Sequence, residues 1–417
     1  MKKAFIPILT LCIACLTGCH RDHVNPPTPP IEGVIKLNLI SSEPYWPDSA
    51  RTNIELIISE PGGKVLLDTI TPANTHITAS LITNAITVNV TNIYYNTLKK
   101  VYTAQTYLGV NPSGWAGDYS LSYYNPFGPQ PQVLTPDSLT FTNIPSQRFL
   151  LFSQNAFTGD NQNIATPNTA IEEYSMVPGN YAYLLCPTTG QYKMIVPNQS
   201  NETVDCSTMD QVATGTFNPS SYFTHYFTAI YGYPDSTNQN SQIWLYINDG
   251  ATDSALVNTL PQLAYPKKNI QKYAVTAAFS HGIYELAQWY ACSDTINTNI
   301  TYPDPSSYSL TANQNTQFAV TWNASKPTYY TTYWGDATVS WTVYASPDST
   351  TLNPVGVLTA QKSKMLQGQD LTQLTFGEFT FETVNGYNYA GYLGLLNDST
   401  QLWKTFASGG VAYYKHF

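Results

Sequence analysis

Along most of the chain, apolar and polar residues alternate with period two. Ile35, Leu37 and Leu39 interleave with Lys36 and Asn38, and Ile86, Val88 and Val90 with Thr87 and Asn89. Further on, Phe318, Val320 and Trp322 interleave with Ala319 and Thr321, and Val339, Trp341 and Val343 with Ser340 and Thr342. On an extended backbone successive side chains point to opposite faces, so each run offers one face to a core and one to water, as antiparallel sheets do. Turn signals punctuate these runs: Pro61-Gly62-Gly63, Thr188-Thr189-Gly190, Asn248-Asp249-Gly250, and Ser280-His281-Gly282 between two strand-like segments. Asn385-Gly386, between Phe379-Thr380-Phe381 and Tyr387-Asn388-Tyr389, has the sequence of a type I′ hairpin. A short helix fits only the stretch from Thr359 to Leu374. The pattern predicts an all-β protein of tandem antiparallel β-sandwich domains, immunoglobulin-like or transthyretin-like in size, with little helix.

Proline-rich breaks suggest the divisions. Pro126-Phe127-Gly128-Pro129-Gln130-Pro131 and Pro136 close a first unit over 31–128, and Pro261 to Pro266 marks a weaker break. The expected units are 31–128, 137–265 and 270–417, with 137–417 as a single large domain the alternative. No fixed-period repeat indicates a propeller or solenoid.

Composition narrows the function classes. Of the 417 residues, 11% are charged, far below the ~25% usual for soluble domains, whereas 13% are aromatic, including 32 Tyr. That excludes the charge-rich, aromatic-poor composition of a disordered chain. With 18 basic against 27 acidic residues, the chain also lacks the cationic surplus that neutralising nucleic-acid phosphates requires.

The first thirty residues read as an address. Lys2 and Lys3 precede an apolar stretch from Ala4 to Leu16 that is too short to span a bilayer. Leu16-Thr17-Gly18-Cys19 comes next and resembles a lipobox, the bacterial lipoprotein signal, position by position. The resemblance implies that 1–18 is a removed signal peptide and that Cys19 carries the acyl chains and becomes the N-terminus. Several acyl chains on one Cys anchor stably, so the expected partner is a membrane, reached through lipid and not through a span. His20 lacks the Asp that marks inner-membrane retention in the best-known sorting systems, which points to the outer membrane. His20-Arg21-Asp22-His23 holds one acid where a surface-export signal of Bacteroidota type would hold a cluster, so cell surface and periplasmic face both stay open. Residues 19–30 form a Pro-rich tether, with Asn25 to Pro30 stiffened toward polyproline II. Without the signal peptide the balance falls to −11.

Cys12 and Cys15 leave with the signal, and with Cys19 acylated, Cys186, Cys206 and Cys292 remain. Three thiols allow three pairings. Cys186 and Cys206 are closest in sequence and each ends an apparent strand, so they are the expected disulfide, closing a loop that contributes about 3 kcal/mol.

Catalytic signatures are missing: there is no G-x-S-x-G elbow, phosphate loop or H-E-x-x-H. Ser280-His281 reads as a hairpin turn, and the adjacent pair Glu172-Glu173 points to opposite faces of a strand. Asn248-Asp249-Gly250 with Asp253 lacks the spacing of a calcium loop. No enzyme activity, metal or cofactor is expected. Aromatic clustering is the stronger signal. Tyr329, Tyr330, Tyr333 and Trp334 put large rings on both faces of one strand, with Asp336 and Asn323 nearby to hydrogen-bond. One set enters a core; the other either covers a neighbouring strand or forms an exposed platform for stacking on sugar. Trp115, Tyr119, Tyr123 and Tyr124 form a second, less regular cluster. The layout of anchor, spacer and sandwiches is similar to Bacteroidota accessory glycan-binding lipoproteins, which implies non-enzymatic capture of a glycan or protein ligand. A structural or adhesive surface protein without a small ligand is the alternative, and a hydrolase the third reading.

Overall fold

A computed structural model describes residues 31–40, 53–72, 75–96, 99–113, 116–120, 135–146, 148–152, 157–162, 170–176, 181–196, 201–216, 222, 225–236, 241–249, 262–296, 305–396 and 409–417. The protein is all-β: strands make up 59% of it, in large sheets that form no barrel, with two α-helices among the described residues.

Among the described residues, twelve strands form one continuous sheet. In chain order they are β1 (Asn53–Ser59), β2 (Val65–Pro72), β3 (Val88–Asn96), β4 (Val101–Val110), β5 (His225–Tyr233), β6 (Ile243–Asp249), β7 (Lys272–His281), β8 (Glu285–Ser293), β9 (Tyr329–Gly335), β10 (Val339–Ala345), β11 (Thr375–Val384) and β12 (Gly410–His416). Their order across the sheet is β6-β5-β7-β8-β12-β11-β9-β10-β4-β3-β1-β2. All neighbours run antiparallel except β10 and β4, which pair in parallel from Val339 opposite Tyr102 to Tyr344 opposite Tyr107.

This pairing corrects the expected division into three sandwiches. Strands from 31–128, 137–265 and 270–417 share the one sheet. Proline interrupts strands but does not stop the chain from returning to pair, so the breaks mark connections. The Pro126 to Pro131 stretch itself lies outside the described residues.

One face of the large sheet carries the principal core. Ile230, Phe279, Trp289, Tyr330, Trp334, Trp341, Phe379 and Tyr413 meet Tyr308, Phe318 and Val320 of a small sheet, and Phe152, Tyr183, Leu185 and Tyr192 of a five-stranded one. In the five-stranded sheet, strands Arg148–Phe152 and Ala182–Cys186 are buried on both sides. Its other face, with Phe149, Leu151, Leu184 and Cys186, packs on Leu139, Phe141 and Val204 of a further three-stranded sheet. Double burial explains Ala182–Cys186, five buried residues in a row where a half-wetted strand would alternate.

The opposite face of the large sheet is covered only in part. Toward β1 and β3 it lies under Ala79 and Leu81 of the strand Thr75–Thr83, and under helix α2 (Tyr389–Leu396). Toward β5 and β7 a smaller cluster gathers Tyr231, Tyr233 and Ala274.

Two local expectations change. Gly386 adopts a positive φ of 80°, and the Tyr387 amide closes a turn on the Val384 carbonyl at 3.2 Å, but the chain then enters α2 instead of returning as a strand. The reason is that β11 already has β12 on one side and β9 on the other, leaving no edge for residues 387–389. The helix of the preceding segment begins earlier than expected: α1 (Pro354–Gln361) has Pro at its start, and Asn353 caps it by accepting the Gly356 amide at 2.9 Å. The hairpin turn expected at Ser280-His281-Gly282 forms two residues later, at Gly282-Ile283-Tyr284: Ser280 and His281 still pair with Leu286 and Glu285, and Gly282 takes a φ of 61°. Ile86 is 81% exposed, because its strand starts only at Val88.

Candidate functional site

Strand β9 decides the aromatic question, and it divides the four rings. Tyr330 and Trp334 are fully buried on the principal-core side, against Phe318 and Phe379 and against Phe318 and Phe376 respectively. Their polar atoms are committed: Trp334 Nε1 donates to Thr332 Oγ1 at 2.9 Å, and the Tyr330 hydroxyl donates to the Ser349 carbonyl. Tyr329 points to the other side but is also buried, because α2 lies over it. Its ring stacks on Tyr392 at 4.2 Å and its hydroxyl donates to Glu382. Tyr329, Tyr330 and Trp334 are therefore packing residues, which corrects the expected platform. Their faces are filled by elements distant in sequence.

Tyr333 is different. It is half-buried on the partly covered face of the large sheet, with one edge of its ring beside two glycines. A Cβ built on Gly335 would meet Tyr333 Oη at 2.8 Å and Cζ at 3.1 Å, and one on Gly377 would meet Cδ1 at 3.0 Å. The Cδ1–Cε1–Cζ edge of the ring and its hydroxyl therefore take up space that a side chain at Gly335 or Gly377 would need. Gly377 is the extra residue of a bulge in β11, where Tyr333 faces Glu378 and Trp334 faces Phe376. Glu378 shares this face: it pairs with His416 Nδ1 at 3.1 Å and accepts the Thr380 hydroxyl at 3.0 Å. Thr331 and Thr342, both half-buried, complete the surround.

Asp336 does not flank a ligand surface; it closes the β9–β10 turn. Its Oδ1 accepts the Thr338 amide at 2.6 Å, the Val339 amide at 2.7 Å and the Thr338 hydroxyl at 2.9 Å. Asn323 is likewise occupied, donating to the Ser306 carbonyl at 3.0 Å. Trp115, Tyr123, Tyr124, Cys19, Gly250 and Asp253 lie outside the described residues, as do the side chains of Tyr119, Glu172 and Glu173.

Two carboxylate clusters had no motif to announce them. On the partly covered face, Glu382 accepts hydrogen bonds from Tyr329 and from Tyr290, the latter at 2.6 Å. Burial raises its carboxyl above the usual range, and the two phenol donors only partly offset that. On the principal-core face, Glu285 holds Lys415 Nζ at 2.5 Å and accepts the Tyr222 hydroxyl. Burial pushes the Glu285 carboxyl up, but Lys415 and Tyr222 outweigh it and hold the group below the usual range. The only advance signal was alternation: Glu378, Thr380 and Glu382 occupy one parity of β11 and Phe379 and Phe381 the other. Glu382 and Glu285 lie on opposite faces of the sheet. Glu378 and Glu382 share a face but sit four residues apart, roughly 13 Å at ~3.3 Å per residue, beyond the ~5–9.5 Å of a glycosidase pair.

Cys186 and Cys206 belong to one core cluster but are not bridged, which corrects the expected disulfide. Burial pushes the Cys186 thiol up to about 12 and the Cys206 thiol up to about 11. Packing and not a covalent link joins the two strand ends, with Cys206 Sγ directed at the Val204 carbonyl at 3.9 Å. Cys292 is half-buried and free, its thiol also pushed up to about 11 by burial.

No protein-family model matches the chain. No curated protein matches it either. Among solved structures it is similar to a crystal structure of a "putative adhesin from Bacteroides ovatus", at 10% identity and a TM-score of 0.12, over 65% of this chain and 75% of that one. A likeness of that size carries no argument about function.

Proposed function

We propose that the protein is a lipid-anchored, non-enzymatic component of the bacterial outer membrane that captures a glycan or protein ligand. The observation that carries this reading is Leu16-Thr17-Gly18-Cys19 placed between an apolar leader and a Pro-rich tether. Acylation at Cys19 fixes the chain to a membrane, and the stiff tether projects the folded body into solvent. That body includes one wide sheet whose partly uncovered face carries Tyr333, Thr331 and Thr342. Such a surface suits recognition of an extended ligand.

Two measurements test the reading. Metabolic labelling with a fatty-acid analogue should mark the protein and fail to mark Cys19→Ala; label persisting on the variant overturns the anchor. The detergent-solubilised protein should then be retained on wells coated with neutral polysaccharide or with an extracellular protein such as fibronectin. Retention on neither overturns ligand capture and favours a structural surface protein.

A further inference from the structure

We propose that the end of the folded body where the tether enters is a second membrane contact, at which Ile82 and Ile86 dip into the headgroup region of the bilayer that holds the acyl chains of Cys19. This rests on the lipid-anchor reading and adds to it a contact made by the fold itself.

Exposure is the first observation. Among the described residues, three large apolar side chains are more than two-thirds exposed: Ile283, Ile86 and Ile82. Isolated apolar residues are ordinary on a protein surface, but two of these three border one turn. Ile82 is one residue from the end of the strand Thr75–Thr83, and Ile86 lies in the connection 84–87 that follows it. Polar groups hold that connection in place: the Ala85 amide donates to Thr83 Oγ1 at 3.0 Å, and the Thr83 hydroxyl donates to Glu60 at 2.7 Å. The second bond also brings the neighbouring turn, with exposed Pro61, Gly62 and Lys64, to the same end of the sheet.

The second observation is where the tether stops. It ends at Pro30, and the next residues form the strand Ile31–Ile40, antiparallel to Thr75–Thr83, with Ile31 opposite Thr83 and Glu32 opposite Ile82. Opposed residues in such a ladder have Cα atoms about 5 Å apart, so the chain departs for the membrane beside Ile82. The twelve residues from Cys19 to Pro30 reach at most about 43 Å when fully extended. Proline is confined to the second half of this stretch, and His20 to Val24 hold none, so the stiff part can swing toward the bilayer while the far side of the body still projects away. Contact between an anchored body and its own membrane is intramolecular, so a small apolar patch suffices where a free protein would need a larger one.

Charge narrows the lipid. Glu32 is exposed beside Ile82, and Glu60 pairs with Lys64 at 3.3 Å. Two acids against one base at this end would be repelled by an anionic surface but not by zwitterionic headgroups.

The test uses the acylated full chain in phosphatidylcholine vesicles doped with a diazirine-bearing phosphatidylcholine, with cross-linked lipid mapped by mass spectrometry. The comparison is the segment carrying Ile283 and Tyr284, equally apolar and exposed but six strand spacings from β3, roughly 29 Å at ~4.8 Å each. The segment carrying Ile82 and Ile86 should take at least five times the label of that comparison. Ile82→Ser combined with Ile86→Ser should cut its label at least fivefold at unchanged fatty-acid incorporation and melting temperature. If the double variant melts lower, Thr at both positions, a good strand former, replaces Ser. Equal labelling of the two segments, or undiminished labelling of the variant, in a protein that carries its fatty acid overturns this contact and leaves the anchor standing. A protein that takes up no fatty acid overturns the anchor and the contact with it.

Discussion

Glu55, fully buried in β1, accepts the backbone amide of Met365 at 2.9 Å although the two residues are 310 positions apart. The same carboxylate takes the Lys364 amide at 2.6 Å and the Ser363 hydroxyl at 2.5 Å. Three donors on one carboxylate satisfy it where water cannot reach, and they pin the loop after α1 to a strand near the start of the chain. Lys364 adds an ion pair to Asp68 of β2 at 2.9 Å.

The expected consequence is that Glu55→Ala destabilises the fold by about 3 kcal/mol, because two amides and a hydroxyl lose their acceptor together. Urea unfolding of the variant should show a lowered midpoint. A change under about 1 kcal/mol would mean that water or a neighbour replaces the carboxylate.

Trp334→Ala should cost ~3–5 kcal/mol, the range for removing a buried aromatic ring. Trp334 is fully buried and touches Phe318 and Phe376, so the cavity has little means of closing. Thermal melting gives the measurement. A near-native melting temperature would return Trp334 to the exposed class that its sequence neighbourhood allows.

Stability should depend on Glu382 through pH. Its folded carboxyl titrates above the unfolded value, chiefly because burial disfavours the charged form. The folded state therefore binds the proton more tightly. Stability from this group is fully present below the unfolded value and is lost as pH rises through the folded one. Glu382→Gln, which stays neutral, should remove that loss, so the variant should gain on the unmodified protein as pH rises from the ordinary carboxylate range toward neutrality. Parallel melts across that range decide it, and a constant difference between the two proteins would refute the assignment.

Alternation was enough to read the all-β class and many individual strands. Val339, Trp341 and Val343 are buried with half-buried residues between them, as period two requires. The hairpin at Gly282 was legible to within two residues for the same local reason, since a glycine at positive φ between two strand-like runs needs no distant partner. The Asn385-Gly386 turn was legible only as a turn: whether a strand comes after it depends on a free sheet edge, and β11 has none.

Of the candidate site, the sequence by itself determined that β9 carries rings on both faces. It could not say which faces are covered, because cover comes from residues far along the chain: Phe318 on one side, Tyr392 and α2 on the other. Tyr329 and Tyr333 have the same parity on the same strand, and no local rule separates them. Only the tertiary structure does, by laying α2 over Tyr329 and setting two glycines beside the edge of Tyr333, one of them contributed by a neighbouring strand. Glu55 makes the same point from the core. A carboxylate in an apolar strand reads as a solvent-facing residue until a loop 308 to 310 positions away supplies the donors that let it be buried.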